Sequence, residues 1–378
     1  MWWTPRPGRW LILSMLLGAC PEPSVTFPSG PVQEPDLRQS QGPPLFRASG
    51  ELPVLSAEVK LPAAERWREW KRDPEVVLGA AERQMYLAGS PAPPNGLEQW
   101  TIGRAVMRLD QPGGAASFQQ LLTPRPGRWD GGDLLSPAVI PNYGGRGFAL
   151  WYAASGDPQR PDYVFQIGLA TSPDGQHWER REQPVLAAPP FSSNGPDGRP
   201  REQGPTSHGL LDPAVVPMGG STIWMYFTGV SCEPRCRFQI LRAVSSDGVH
   251  FQTPQVVWRG RPEVSQEEGG VAGPSVLVRE GRFYLAYTQV HEPAEPSRDG
   301  IRRAIVSGSL GLAVSQDGVT FESASGPWPL LAPNRDFLRG GSFSPALVEE
   351  QGHLRLYFGA LSNLDTPAFS IGRADLMQ

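Results

Sequence analysis

One pattern recurs five times along this chain, and a period of 61 to 76 residues constrains the fold more than any other feature. Each copy starts with a residue before proline, then a small or acidic residue, then two aliphatic ones. The starts are Asp73-Pro74-Glu75-Val76-Val77, Ser136-Pro137-Ala138-Val139-Ile140, Asp212-Pro213-Ala214-Val215-Val216, Gly273-Pro274-Ser275-Val276-Leu277 and Ser344-Pro345-Ala346-Leu347-Val348. An aromatic and aliphatic run follows each: Met85–Ala88, Phe148–Ala153, Ile223–Thr228, Phe283–Thr288 and Leu354–Ala360. A third segment then ends in Ala105, Ala170, Ala243, Ala313 or Ala374. Three copies continue into Ser-x-Asp-Gly, at Asp174-Gly175, Asp247-Gly248 and Asp317-Gly318, with an aromatic just beyond. Asp-Gly between strand-like runs predicts a hairpin in which both turn residues take positive φ.

Each copy therefore reads as three or four antiparallel strands, with proline at the head of the first, where no ladder donor is needed. One such sheet cannot bury a face alone, but five packed radially can. The fifth copy stops short of a fourth strand. Phe46–Leu55 resembles Phe321–Leu331 and supplies the missing piece from the other end of the chain. The expected architecture is an all-β, five-bladed β-propeller over 44–378, closed by an N-terminal strand that completes the last blade. Two stacked β-sandwich domains would explain neither the five copies nor the complementary ends.

Composition agrees. With 43 glycines and 42 prolines, long helices have little room, and 39% hydrophobic residues suffice for a core. A net charge of −4 argues against nucleic acid as a partner. Residues 1–19 read as a signal peptide: Arg6 and Arg9, an apolar run from Trp10 to Leu17, then small residues. Cleavage removes two arginines and takes the net charge to −6. Leu17-Gly18-Ala19-Cys20 resembles the bacterial lipoprotein box. That resemblance implies lipidation of Cys20 with fatty acyl chains such as palmitate, anchoring in the cell envelope and, from Pro21 after the cysteine, the outer membrane. Residues 20–43, rich in proline, form an extended tether. Outside the cytoplasm Cys232 and Cys236 are expected to form a disulfide rather than a metal site. The heptapeptide Thr-Pro-Arg-Pro-Gly-Arg-Trp occurs at 4–10 and again at 123–129, and has no physical explanation.

In a propeller the loops entering the innermost strands converge on one face and form a concave site. These loops carry Trp129, Asp130, Asp133, His208, Glu267, Glu268, Asp336 and Arg339. The proline-headed strands, the Tyr/Trp-rich second strands and the Asp-Gly hairpins resemble the five-bladed propeller glycosidases, glycoside hydrolase families 43 and 32 and their relatives. The resemblance implies Asp73 as general base and Asp212 as the aspartate that tunes the acid. The acid itself is a Glu before Gly-Pro in that family; here Ala272 precedes Gly273-Pro274, and Glu268 is the substitute a few residues upstream. Trp129, Asp130, His208 and Arg339 are the candidate substrate-binding residues, with burial of Trp129 between blades as the other reading. Asp before proline also often just satisfies a nearby backbone N–H, so that role and lining of the central cavity stand beside catalysis for Asp73 and Asp212. No cofactor or metal ligand set is implied, and whether an ion sits on the axis is left open. Two functions follow: a glycoside hydrolase on an oligo- or polysaccharide, or a non-catalytic glycan- or protein-binding lipoprotein. In both, the chain is expected to be a monomer with a carbohydrate ligand as its leading partner. A scaffold using its outer surfaces is a third.

Overall fold

The structure is a computed structural model. It describes residues 46–48, 70–79, 82–90, 99–108, 117–145, 147–156, 164–188, 208–232, 234–261, 263–325, 330–331, 340–362 and 369–376. Cys20, the 20–43 segment, Asp336 and Arg339 lie outside them.

The described fold is all-β, apart from one nine-residue helix and short 3-10 turns. After β1 (Phe46–Ala48) come five antiparallel meanders. The first holds β2 (Trp70–Leu78), β3 (Glu82–Ser90), β4 (Thr101–Arg108) and β5 (Ser117–Leu122). The second holds β6 (Leu134–Pro141), β7 (Phe148–Ser155), β8 (Phe165–Ser172) and β9 (Glu179–Arg180). The third holds β10 (Gly209–Pro217), β11 (Ile223–Cys232), β12 (Cys236–Ser245) and β13 (Gln255–Trp258). In the fourth, β14 (Gly270–Arg279) and β15 (Arg282–Val290) are followed by helix α1 (Arg298–Val306), then β16 (Ser309–Ser315) and β17 (Glu322–Ser323). The fifth has β18 (Gly341–Glu350), β19 (His353–Leu361) and β20 (Phe369–Leu376), and β1 pairs with its edge, Phe46 opposite Leu376 and Ala48 opposite Ala374.

Among the described residues, hydrogen bonding leaves three separate sheets. Meanders two to four are joined through single parallel pairings, Gly209 with Phe165 and Phe238 with Gly270, and the sheets do not close on one another. Packing, by contrast, runs all the way round. Successive first strands lie side by side, β2 on β6, β6 on β10, β10 on β14, β14 on β18 and β18 on β2. Apolar cores fill the gaps between neighbouring meanders: Tyr86 with Tyr152, Trp151 with Phe227, Tyr226 with Tyr287, Tyr284 with Phe358, and Tyr357 with Met85 of the first meander. Each such side chain contributes roughly 1.5–3 kcal/mol of burial. The small residue in the third strand makes this packing possible. A Cβ at Gly168, Gly311 or Gly372 would strike the ring of Tyr152, Tyr287 or Phe358 from the second strand.

The Asp-Gly turns differ from the expected hairpin. Only the glycines take positive φ: Gly175 at 72°, Gly248 at 69° and Gly318 at 68°. Each aspartate instead accepts from the two backbone N–H groups beyond its glycine, as Asp247 does from Val249 and His250, both at 2.8 Å. The turns then fasten to the preceding meander: Trp151 Nε1 donates to Gly248 O at 3.0 Å and Tyr226 Oη to Gly318 O at 2.7 Å. Cys232 and Cys236 form a disulfide opposite one another in the β11–β12 hairpin. Among the described residues no helix is long and apolar enough to cross a membrane.

Candidate functional site

The prolines do not sit at strand heads. Each lies inside its first strand, at a bulge that occupies the same place in all five meanders: pairing slips between Arg72 and Glu75, Leu135 and Ala138, Leu211 and Ala214, Ala272 and Ser275, and Phe343 and Ala346. A bulge frees the ladder position that proline cannot serve. The residue before each proline is left-handed, with φ of 54° at Asp73, 49° at Ser136, 50° at Asp212, 56° at Gly273 and 45° at Ser344. Such backbone tolerates glycine and short polar side chains that bond locally, which accounts for the residue types found there.

These five positions converge on one buried hub. Asp73 Oδ1 accepts from Arg72 Nε and from Ser344 Oγ, both at 2.8 Å. Asp73 Oδ2 accepts from Ser136 N at 3.2 Å, and Asp212 Oδ2 from Thr228 Oγ1 at 2.9 Å and Gly273 N at 3.2 Å. Each aspartate thus takes the backbone N–H of the next meander. Between them stands Ser136 Oγ, 3.0 Å from Asp73 Oδ2 and 2.6 Å from Asp212 Oδ1. A hydroxyl carries one proton and an ionised carboxylate none. Both contacts are attractive only if one carboxyl is protonated. Burial, then the neighbouring charge of Asp73, pushes the Asp212 carboxyl up, which favours Asp212 as the holder of the extra proton, while Asp73 pairs with the Arg72 guanidinium. Arg72 lies in turn 5.5 Å from the Trp100 ring centre and 5.3 Å from that of Phe343.

A third carboxyl, Glu75, follows on β2, where the other meanders have alanine or serine. Burial raises it to about 8 although Val139 N–H donates to it. Its folded value exceeds the ordinary 4.5, so its stabilisation is complete below that pH and is lost as pH rises toward 8. Glu75→Gln is expected to leave unfolding unchanged at pH 4.5 and to add on the order of 1–3 kcal/mol at pH 8, allowing for screening of a partly exposed group. Urea titrations at the two pH values check this.

The loop residues are placed as follows. Asp130 is fully buried and accepts from Arg125 at 2.9 and 3.0 Å, Arg180 at 3.2 Å and Tyr152 Oη at 3.2 Å. Glu267 has the same arrangement two meanders on: Arg261 Nη2 at 2.8 Å, Tyr287 Oη at 2.9 Å and Gln289 Nε2 at 2.9 Å. Burial raises the Glu267 carboxyl, but bonds from Arg261 and Gln289 outweigh it and hold it below its ordinary range. Both acids stand six residues before their hub position, a shared spacing that could have marked them as loop staples from sequence. Asp133 accepts from Trp100 N at 3.1 Å and pairs with Arg302 of α1. Trp129 is half-buried; its ring stacks on Tyr152 at 6.0 Å and covers Gly168. His208 Nδ1 accepts from Cys232 N at 3.2 Å, and burial lowers its pKa. Glu268 is exposed, and its carbonyl accepts from Arg237. The structure thus brings Asp73 and Asp212 together, with Ser136 and Ser344 from the same repeat position as partners, and with Thr228 and Arg72, which sequence reasoning did not single out. Ala272 is fully buried beside them. Among the described residues no group of three or more His, Cys, Asp or Glu is placed to hold a metal ion.

No protein-family model matches the chain, and no curated protein matches it by sequence. Solved structures do. A β-1,2-mannobiose phosphorylase from Listeria innocua, in complex with β-1,2-mannobiose, superposes with a TM-score of 0.61 at 13% identity, over 88% of this chain and 96% of that one. An α-L-arabinofuranosidase from Podospora anserina, in complex with cellotriose, gives 0.57 at 10% identity over 89% and 97%. A thermostable family-43 glycoside hydrolase gives 0.57 at 16% identity over 82% and 90%. The chain shares their fold. At these identities the likeness carries the architecture and not the activity.

Proposed function

We propose that this chain is a five-bladed β-propeller of the glycosidase type that binds carbohydrate without cleaving it, tethered to the bacterial cell envelope. The five meanders are its blades, β1 completes the last of them, and 44–378 is the propeller. Residues 1–19 are the signal peptide, and 20–43 join a lipidated Cys20 to the domain at the outer membrane. The saccharide ligand class is supported by the likeness to glycan-active enzymes.

The non-hydrolytic reading rests on Ser136. An inverting pair needs water between two carboxyl groups roughly 6.5–9.5 Å apart. Here Asp73 and Asp212 are joined through a single hydroxyl oxygen, and both residues are buried, at 3% and 5% exposure. A general base must reach a water and a general acid a leaving oxygen; these oxygens are spent on the hub. Ala272 offers no acid, and Glu268 is exposed. Hydrolysis keeps one specific observation in its favour: a raised Asp212 carboxyl beside an Arg72-paired Asp73 is a pair with divergent acidities.

The test incubates the full protein and its Asp73→Asn variant with arabino-, β-1,2-manno- and cello-oligosaccharides. Binding is read by calorimetry, bond cleavage by released reducing ends, and acylation of Cys20 by the mass of the N-terminal peptide. Saturable binding to at least one saccharide, with no release above the variant, is expected. Release that Asp73→Asn abolishes at unchanged melting temperature would make the protein a hydrolase, and no binding to any saccharide would end the carbohydrate reading.

A further inference from the structure

We infer that helix α1 is a stopper seated in the propeller's own ligand mouth, and that the saccharide seat lies beneath it. The inference rests on the carbohydrate reading for its ligand, but not for its geometry.

Helix α1 packs on β15, β18 and β19, and the apolar cluster it joins has members from all five meanders, Ala88 in the first. Leu135, Leu211, Ala272 and Phe343 each immediately precede a hub residue, and they share one buried apolar cluster with Ile301, Ile305 and Val306 of the helix. The helix therefore covers the side from which the hub would be approached. It interrupts only the fourth meander, between its second and third strands. Its apolar face points down, and Arg303 on the other side is exposed.

Its attachments mark it as a separable unit. Cys236 and Ala294 exchange backbone hydrogen bonds at 2.7 and 2.9 Å on one side, and Gly308 O accepts from Ser342 N at 3.0 Å on the other. Between these anchors the chain turns onto its own cap, where Ser297 Oγ accepts from Gly300 N at 3.0 Å. A nine-residue helix has little stability of its own in water. Among the described residues, what holds α1 down is its apolar face and a polar latch, Arg302, which pairs with Asp133 and lies 5.9 Å from the Trp100 ring centre.

Lifting α1 would uncover a seat suited to a pyranose. The Trp100 ring face that Arg302 now covers would be free for sugar C–H groups, and Asp133, released from Arg302, would stand beside it as a hydrogen-bonding partner for hydroxyls. Local opening of this kind draws on the low-stability end of a fold.

Native-state hydrogen exchange on the full protein tests the stopper without any ligand. Amides of Ile301–Val306 are expected to exchange at least ~100-fold faster than those of β15 and β18. Arg302→Gln, which weakens the latch and keeps a polar side chain, is expected to speed α1 a further ~10-fold with the strand rates unchanged. Equal protection of α1 and the flanking strands, or one common acceleration of all amides in the variant, would show a fixed core element and overturn the inference. The oligosaccharide panel fails or succeeds independently, so the two ideas fall separately.

Discussion

Asp73→Ala is expected to destabilise the fold by about 3–5 kcal/mol, the usual result of removing one partner from a buried ion pair. It leaves the Arg72 guanidinium buried without its carboxylate and takes an acceptor from Ser136 and Ser344. Asp212→Asn should behave differently. An amide nitrogen can donate to Ser136 Oγ where the extra proton sits, and the amide oxygen can accept from Thr228 and Gly273. Its effect at neutral pH is expected to stay within about 1 kcal/mol. The pH dependence separates the two residues further. Asp212 is held above its ordinary 3.8, so its stabilisation is complete below that pH and fades as pH rises toward the raised value. The asparagine variant loses this slope. Denaturant titrations of all three proteins at pH 4, 6 and 8 measure it, and an asparagine loss as large as the alanine loss would place the proton elsewhere.

Glu267→Ala and Asp130→Ala are expected to lose stability by comparable amounts, again roughly 3–5 kcal/mol each. Each carboxylate is fully enclosed and takes donors from an arginine earlier in its loop and a tyrosine of the second strand. Truncation leaves those donors buried and unpaired. Glu267→Gln keeps an acceptor and should recover part of the loss. Saccharide affinity is the readout that separates fastening from recognition. If both variants bind sugar at wild-type strength once folded, the acids hold loops. A selective loss of affinity at Asp130, without loss of stability, would return it to the ligand site.

The five-fold plan was legible because each copy solves the same steric problems with the same few residue types. A bulge before proline needs a residue at ease in left-handed backbone, hence Asp, Ser or Gly. A ring lying on the third strand needs a small residue below it, as Tyr152 does over Gly168. Pairing of Phe46–Ala48 with β20 follows from the incomplete last copy. The hub's bonding was not legible. Ser136, Asp73 and Asp212 lie 63 and 76 positions apart, and only their convergence shows one hydroxyl serving two acids. Nothing in the sequence marks Arg72 as the partner of Asp73 except that the other meanders have apolar residues at its position. Helix α1 was hidden by its surroundings: Pro293, Pro296 and Gly300 make 291–308 read as loop, and a short apolar set, Ile301, Ile305 and Val306, is all that hints at a buried face.

The bond between Ser344 and Asp73 spans 271 residues, and that separation governs how the molecule is made. At ~5–20 residues per second, a ribosome needs on the order of 14–50 s after Asp73 before Ser344 emerges. Through that interval the nascent chain keeps an acid and an arginine bound for its interior without their final partners. The first meander therefore waits for the last, and a polypeptide cut short before Ser344 leaves the hub unassembled.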